Sequence, residues 1–160
     1  MKTNKYKLIS LIDRFVTTDR KIRKQRSVTD KVKIWKEEFI KPNKKIMSAY
    51  FDYVDWVDNK KIKGVFARYN KIYKPTQIIK NEKYIKKNID KIIQKISKVI
   101  ALPKADMTII LNVGVHYTNG FVVKYNGKYS VFVNLEHYSD SQTLKTFLIQ
   151  MFLHLLAFLL

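Results

Sequence analysis

The chain has 160 residues, 46% hydrophobic and 13% aromatic, enough to build the core of one ordinary domain and incompatible with a disordered composition. The absence of cysteine excludes disulfides, thiolate metal sites and cysteine nucleophiles together. The net charge of +19 is unevenly spread: residues 1–104 hold 29 of the 32 Lys and Arg and 10 of the 13 acids, while residues 105–160 hold three of each.

The first elements read as helical. Leu8, Ile9, Leu11, Ile12, Phe15 and Val16 recur at helical spacing, and a basic connector through Arg20, Lys21, Arg23, Lys24 and Arg26 follows. Asp13 and Arg14 interrupt the early apolar positions, so no run of signal-peptide length forms and a cytoplasmic location is expected. Thr29 or Asp30 can cap a helix through Val32, Trp35 and Phe39 that Pro42 should end, and Asn43 can cap the next through Ile46 and Tyr50. Residues 65–73, between Gly64 and Pro75, read as helix or loop. Thr76 then offers a cap to a long helix in which Ile78, Ile85, Ile89, Ile92, Ile96 and Val99 form a core-facing stripe. Lys86, Lys87, Lys91, Lys95 and Lys98 fall on its wet side, and Pro103 stops it.

At residue 105 the pattern changes. Residues 107–113 are continuously apolar or β-branched, as in a strand buried on both faces. Asn126-Gly127 then separates two alternating segments, and a two-residue turn there pairs Tyr125 with Lys128 and Val122 with Val131. Ser139 and Gln142 have capping-box spacing and open a helix. Residues 147–160 contain only Gln150 and His154 as polar groups, so this helix is expected to be buried on every side, and fourteen residues fall short of the roughly twenty a membrane span needs. The expected fold is α+β: a basic helical part over 1–104, then a strand, hairpin and helix part over 105–160 with a small antiparallel or mixed sheet and a buried C-terminal helix, together one compact domain.

The final helix also has the layout of a zinc-peptidase helix, with Gln150-Met-Phe-Leu-His154 where HExxH would stand. With the buried strand and the hairpin ending in Val-Asn-Leu-Glu136, residues 105–158 resemble a minimal zincin, the fold of HExxH zinc metallopeptidases. The resemblance implies a mixed sheet against the active-site helix, an edge strand that aligns peptide substrate, here the strand bearing Val131, Val133 and Glu136, and zinc as the family's cofactor. Gln150 and Met151 occupy the remnant positions of the first ligand and the catalytic Glu, and His154 that of the second ligand. One imidazole and a neutral amide oxygen hold Zn²⁺ poorly, and Met151 cannot take a proton from water, so no cofactor is expected and the domain reads as a decayed or incomplete peptidase. His116 and His137 have no ligand spacing with His154 and read as loop or strand-end residues.

Other readings stand beside this one. Arg20, Lys21, Arg23, Lys24, Arg26, Lys60, Lys61 and Lys63 could form a basic surface for nucleic acid or anionic lipid. The apolar residues 147–160 could drive self-association or hold the protein at a membrane.

Overall fold

A computed structural model describes residues 6–54, 59–99, 107–114, 119–125 and 128–157. The fold is α+β, mostly helical with one four-stranded mixed sheet in the order β1-β2-β4-β3. β1 (Tyr6–Ser10) runs parallel to β2 (Met107–Asn112), pairing Tyr6 with Met107 and Ser10 with Leu111. β2 runs parallel to β4 (Lys128–Asn134), and β3 (Gly120–Tyr125) lies antiparallel to β4 at the sheet edge. Strands from both ends of the chain therefore share one sheet.

The expected hairpin register holds, with Tyr125 opposite Lys128 and Val122 opposite Val131. Asn126 and Gly127 themselves lie outside the described residues. The expected edge strand does not hold. Val131 and Val133 sit in β4, whose two sides are occupied by β2 and β3, so the edge belongs to β3. The physical reason lies in β2: Ile109 to Leu111 are at most 3% exposed, so the backbone polar groups on both edges of this buried strand need partners, and β1 and β4 supply them.

The opening residues also differ from the helical reading. Residues 6–10 form β1, and α1 (Ile12–Arg23) absorbs much of the expected basic connector. Leu8-Ile9-Leu11-Ile12 fits either period locally, and pairing with β2, prolonged by the Leu11 amide donating to the Leu111 carbonyl at 3.0 Å, decides for the strand. Ser27, rather than Thr29 or Asp30, caps α2 (Val28–Ile34), its hydroxyl accepting from the Asp30 amide at 3.0 Å. Pro42 does not end the helical run. The chain passes it through a π-helical stretch, Trp35–Ile40, and a 3₁₀ turn, Lys41–Asn43, into α3 (Lys44–Val54). A proline ring crowds the carbonyl four residues back and donates no hydrogen bond, and a widened turn accommodates both defects. Asn43 donates its side-chain amide to the Phe39 carbonyl at 2.7 Å instead of capping α3.

α4 (Asn59–Ala67) and α5 (Tyr69–Ile72) lead to α6 (Pro75–Val99), which begins at the proline, one residue before the expected cap. Its Ile stripe is buried from Ile78 to Ile96, but Val99 is 83% exposed. The five expected wet-side lysines are exposed.

A 3₁₀ turn, Leu135–His137, follows β4, and α7 (Ser141–Ala157) packs against α6 and β3. Asp140, not Ser139, caps α7, accepting from the Thr143 amide at 2.8 Å. That hydrogen bond holds its carboxyl below the usual aspartate range. The helix is not buried all round: Leu144, Leu148, Met151 and Phe152 face the core, while Ile149, Gln150, Leu153 and His154 are exposed. Gly120, paired with Val133, lies against Phe147 of α7, and Phe121 and Phe132 carry Tyr50 of α3 on the other face. The hairpin is thus held between two helices. Among the described residues no helix is long and apolar enough to cross a membrane.

Candidate functional site

The remnant peptidase positions lie on α7 but face different surroundings. Gln150 and His154, one helical turn apart, are solvent-exposed, whereas Met151 is 4% exposed in the core. An exposed amide oxygen and one imidazole do not make a zinc centre, and the position of the family's general base is turned inward. Among the described residues no three His, Asp or Glu side chains gather as a metal site. His116 lies outside the described residues, and His137 belongs to a different cluster.

The expected basic residues are divided between surface and structure. Arg20, Lys24, Arg26, Lys60, Lys61 and Lys63 are exposed. Lys21 pairs with Glu38 at 2.6 Å. Arg23 is a strut. Its Nε donates to both carboxylate oxygens of Asp19 at 3.0 and 2.8 Å, and its terminal nitrogens reach the Asn70 side chain and the Tyr73 carbonyl. Asp19 is 3% exposed and also accepts from the Tyr69 hydroxyl at 2.9 Å, so Arg23 neutralises a buried acid.

The densest polar construction lies where the parallel strands β2 and β4 end, the place where open α/β sheets usually hold ligands. Asn112 and Asn134 close the two strands in register and are fully buried, with the Asn112 amide donating to Asn134 Oδ1 at 3.2 Å. Beyond them the Gly114 amide donates to Glu136 Oε1 at 2.8 Å, and the Tyr73 hydroxyl donates to the Gly114 carbonyl at 2.6 Å. A side chain at residue 114 would press within 2.8 Å of both Asn134 Nδ2 and Tyr50 Oη, so glycine is required for this approach.

Glu136 is the centre of the cluster. Its side chain is 1% exposed, His137 Nε2 lies 3.4 Å from Oε1, and among the described residues Oε2 has no hydrogen-bond partner. Burial pushes its carboxyl above the ordinary glutamate value, against the smaller opposing effects of His137 and the Gly114 amide. The neighbouring Tyr138 hydroxyl, donating to the Asn119 carbonyl at 3.0 Å, is raised first by burial and then by the Glu136 charge. Asn81 of α6 fixes the turn, donating to the Leu135 and Tyr138 carbonyls at 3.0 and 2.9 Å while accepting from Gln77 at 2.9 Å. A cavity of about 200 Å³ opens beside the turn, lined by Lys71, Lys74, Gln77, Ile78 and residues 136–139.

Of this site, sequence reading found Glu136 alone, and for another reason, as part of a substrate edge. Asn81, Asn112, Gly114, Asn134 and Tyr138 were missed because their partners are 19 to 57 residues away. The available signal was that Asn112 and Asn134 interrupt two otherwise apolar runs at corresponding ends. No protein-family model matches the chain, and no curated protein or solved structure matches it.

Proposed function

We propose that this chain is a zincin-like peptidase domain that no longer performs metal-dependent hydrolysis and whose edge strand β3 receives extended peptide. The observation that carries the reading is the sheet order β1-β2-β4-β3, with an antiparallel edge strand lying beside the helix that bears the remnant positions. In the family it resembles, such an edge aligns peptide through main-chain hydrogen bonds beside the active-site helix. The loss of hydrolysis follows from Gln150, Met151 and His154, which supply one good ligand and no base. Main-chain pairing needs neither metal nor base, so peptide docking outlasts catalysis. A cytoplasmic location is part of the same proposal.

Fluorescein-labelled casein peptides test both halves. Saturable binding by anisotropy, with no release of small fragments whether or not zinc is added, is the expected result. Zinc-stimulated cleavage would overturn the loss of catalysis, and absence of binding would overturn the peptide edge.

The exposed cations of α1, the segment after it and α4, including Arg20, Lys24, Arg26, Lys60 and Lys63, favour a second reading in which a basic face binds nucleic acid. It requires retention of single- or double-stranded DNA at low salt that falls steeply as salt rises. DNA left unretained at low ionic strength eliminates it.

A further inference from the structure

α6 carries a row of like charge that the packing of the fold does not use. At 3.6 residues per turn Lys80, Lys83, Lys87, Lys91, Lys95 and Lys98 fall within about 60° of one line, on the side of the helix opposite its buried Ile stripe. All six are exposed. From Lys80 to Lys98 the row is about 27 Å long at a rise of 1.5 Å per residue.

A solvated helix face ordinarily mixes signs three or four residues apart, because opposite charges there stabilise the helix and like charges destabilise it. The acids within this stretch, Glu82 and Asp90, are engaged elsewhere. Glu82 is buried and accepts from the Ser10 hydroxyl and from Lys86, each at 2.6 Å, while Asp90, at the margin of the row, accepts from the Tyr6 hydroxyl at 2.5 Å. Among the described residues none of the six lysines pairs with an acid. Lys83, Lys87, Lys91 and Lys95 therefore stand four residues apart with their repulsion uncompensated. The helix dipole accounts for Lys98 alone, the one basic residue in the last turn. The buried Ile stripe holds the helix together against this repulsion, and the row is left without an internal counter-charge.

We propose that this face of α6 docks the phosphate backbone of double-stranded DNA without reading its sequence. A duplex carries one negative charge per about 1.7 Å of axis, so a length of about 27 Å offers about 16 phosphates, enough for all six lysines at once. A single strand fits less well, because the face has no stacking platform: Tyr84, the only aromatic residue of α6, is half-buried. A lipid surface also fits less well. A helix lying in a membrane interface inserts an apolar face, and that of α6 is buried in the core, with Val99 at its end the exception. The ligand class is shared with the second reading above, but the contact falls on α6 and not on the cations of α1, the segment after it and α4. It does not depend on the peptidase reading.

The test is an anisotropy titration of the full chain with a fluorescein-labelled duplex of about 20 base pairs, repeated between about 50 and 200 mM salt. One variant combines Lys87→Gln, Lys91→Gln and Lys95→Gln, and a second combines Lys24→Gln, Lys60→Gln and Lys63→Gln, with the same change in charge and with helix propensity kept. The α6 variant is expected to bind about tenfold more weakly or worse and to flatten the logarithmic salt slope by about 2–3, while the second loses less than about threefold. Equal losses in the two variants overturn the proposal, since they mean undirected attraction to the net charge. A larger loss in the second overturns it too and leaves the other basic face standing. Absence of wild-type binding at about 50 mM salt overturns both. Vesicles of about 30 mol% phosphatidylserine in phosphatidylcholine supply the competing surface, and binding to them that depends on the three α6 lysines while duplex binding does not assigns the row to lipid. Should the α6 variant fail to fold, its three single substitutions decide, each expected to flatten the slope by about one, and unchanged slopes in all three overturn the proposal.

Discussion

At the scale of single residues, Glu136 couples the fold to pH. Its carboxyl titrates above the ordinary value of 4.5 in the folded chain because burial disfavours the charged form. The unfolded chain gives up this proton first as pH rises. The stability associated with the protonated group is therefore complete below the unfolded value and is lost as pH rises through the raised folded value. Asp140 runs the other way, its depressed carboxyl contributing above the unfolded value and losing that contribution as pH falls through the folded one. Denaturant melts of wild type and Glu136→Gln across pH 4 to 8 should show the wild type losing stability relative to the variant as pH rises above the ordinary value of 4.5. A constant difference between them would mean that Glu136 is not desolvated in the folded state. Little of this was legible in the sequence. Nothing local distinguishes Glu136, at the end of an apolar run, from an ordinary solvent-facing strand end, because its environment is made by Gly114, by Tyr138 and by α6 through Asn81.

Elements were legible where a local signal had one physical solution. Asn126-Gly127 admits a two-residue turn, and that turn sets the whole β3–β4 register. The Ile stripe of α6 likewise has one face to bury. Where a segment satisfied two periods the decision was made by distant partners: residues 6–10 became a strand because β2 needed a neighbour, and α7, apolar by composition, buries one face only. Pro42 misled because a helix can widen to pass a proline when both flanking segments are anchored, here by buried Trp35, Phe39 and Met47. Within the hairpin, Gly120 resists substitution, since a Cβ there collides with the Phe132 carbonyl oxygen and meets Phe147 at 2.8 Å. Gly120→Ala is expected to cost about 1–3 kcal/mol in chemical denaturation, by forcing the hairpin away from α7. A change within about 0.5 kcal/mol would show that β3 can shift freely against α7.

For the molecule as a whole, charge and topology make separate claims. A net charge of +19, all of it arising in residues 1–104, where most of the described Lys and Arg are exposed, repels itself in the compact state. Thermal stability should therefore rise as sodium chloride is raised from about 20 mM to 0.3 M, where screening shortens to a few ångströms. A melting temperature that falls over this range would point instead to ion pairs such as Lys21–Glu38 and Lys86–Glu82 as the dominant electrostatic contribution. The sheet ends in an antiparallel strand, β3, which among the described residues pairs with a strand on one side only, and the proposed peptide would take the other. Hydrogen–deuterium exchange with and without a saturating pool of casein peptides tests it most directly. Slowed exchange concentrated in residues 120–125, with β1 at the opposite edge unchanged, is the expected result. Protection at β1, or no change at 120–125 while peptide is bound, would contradict it.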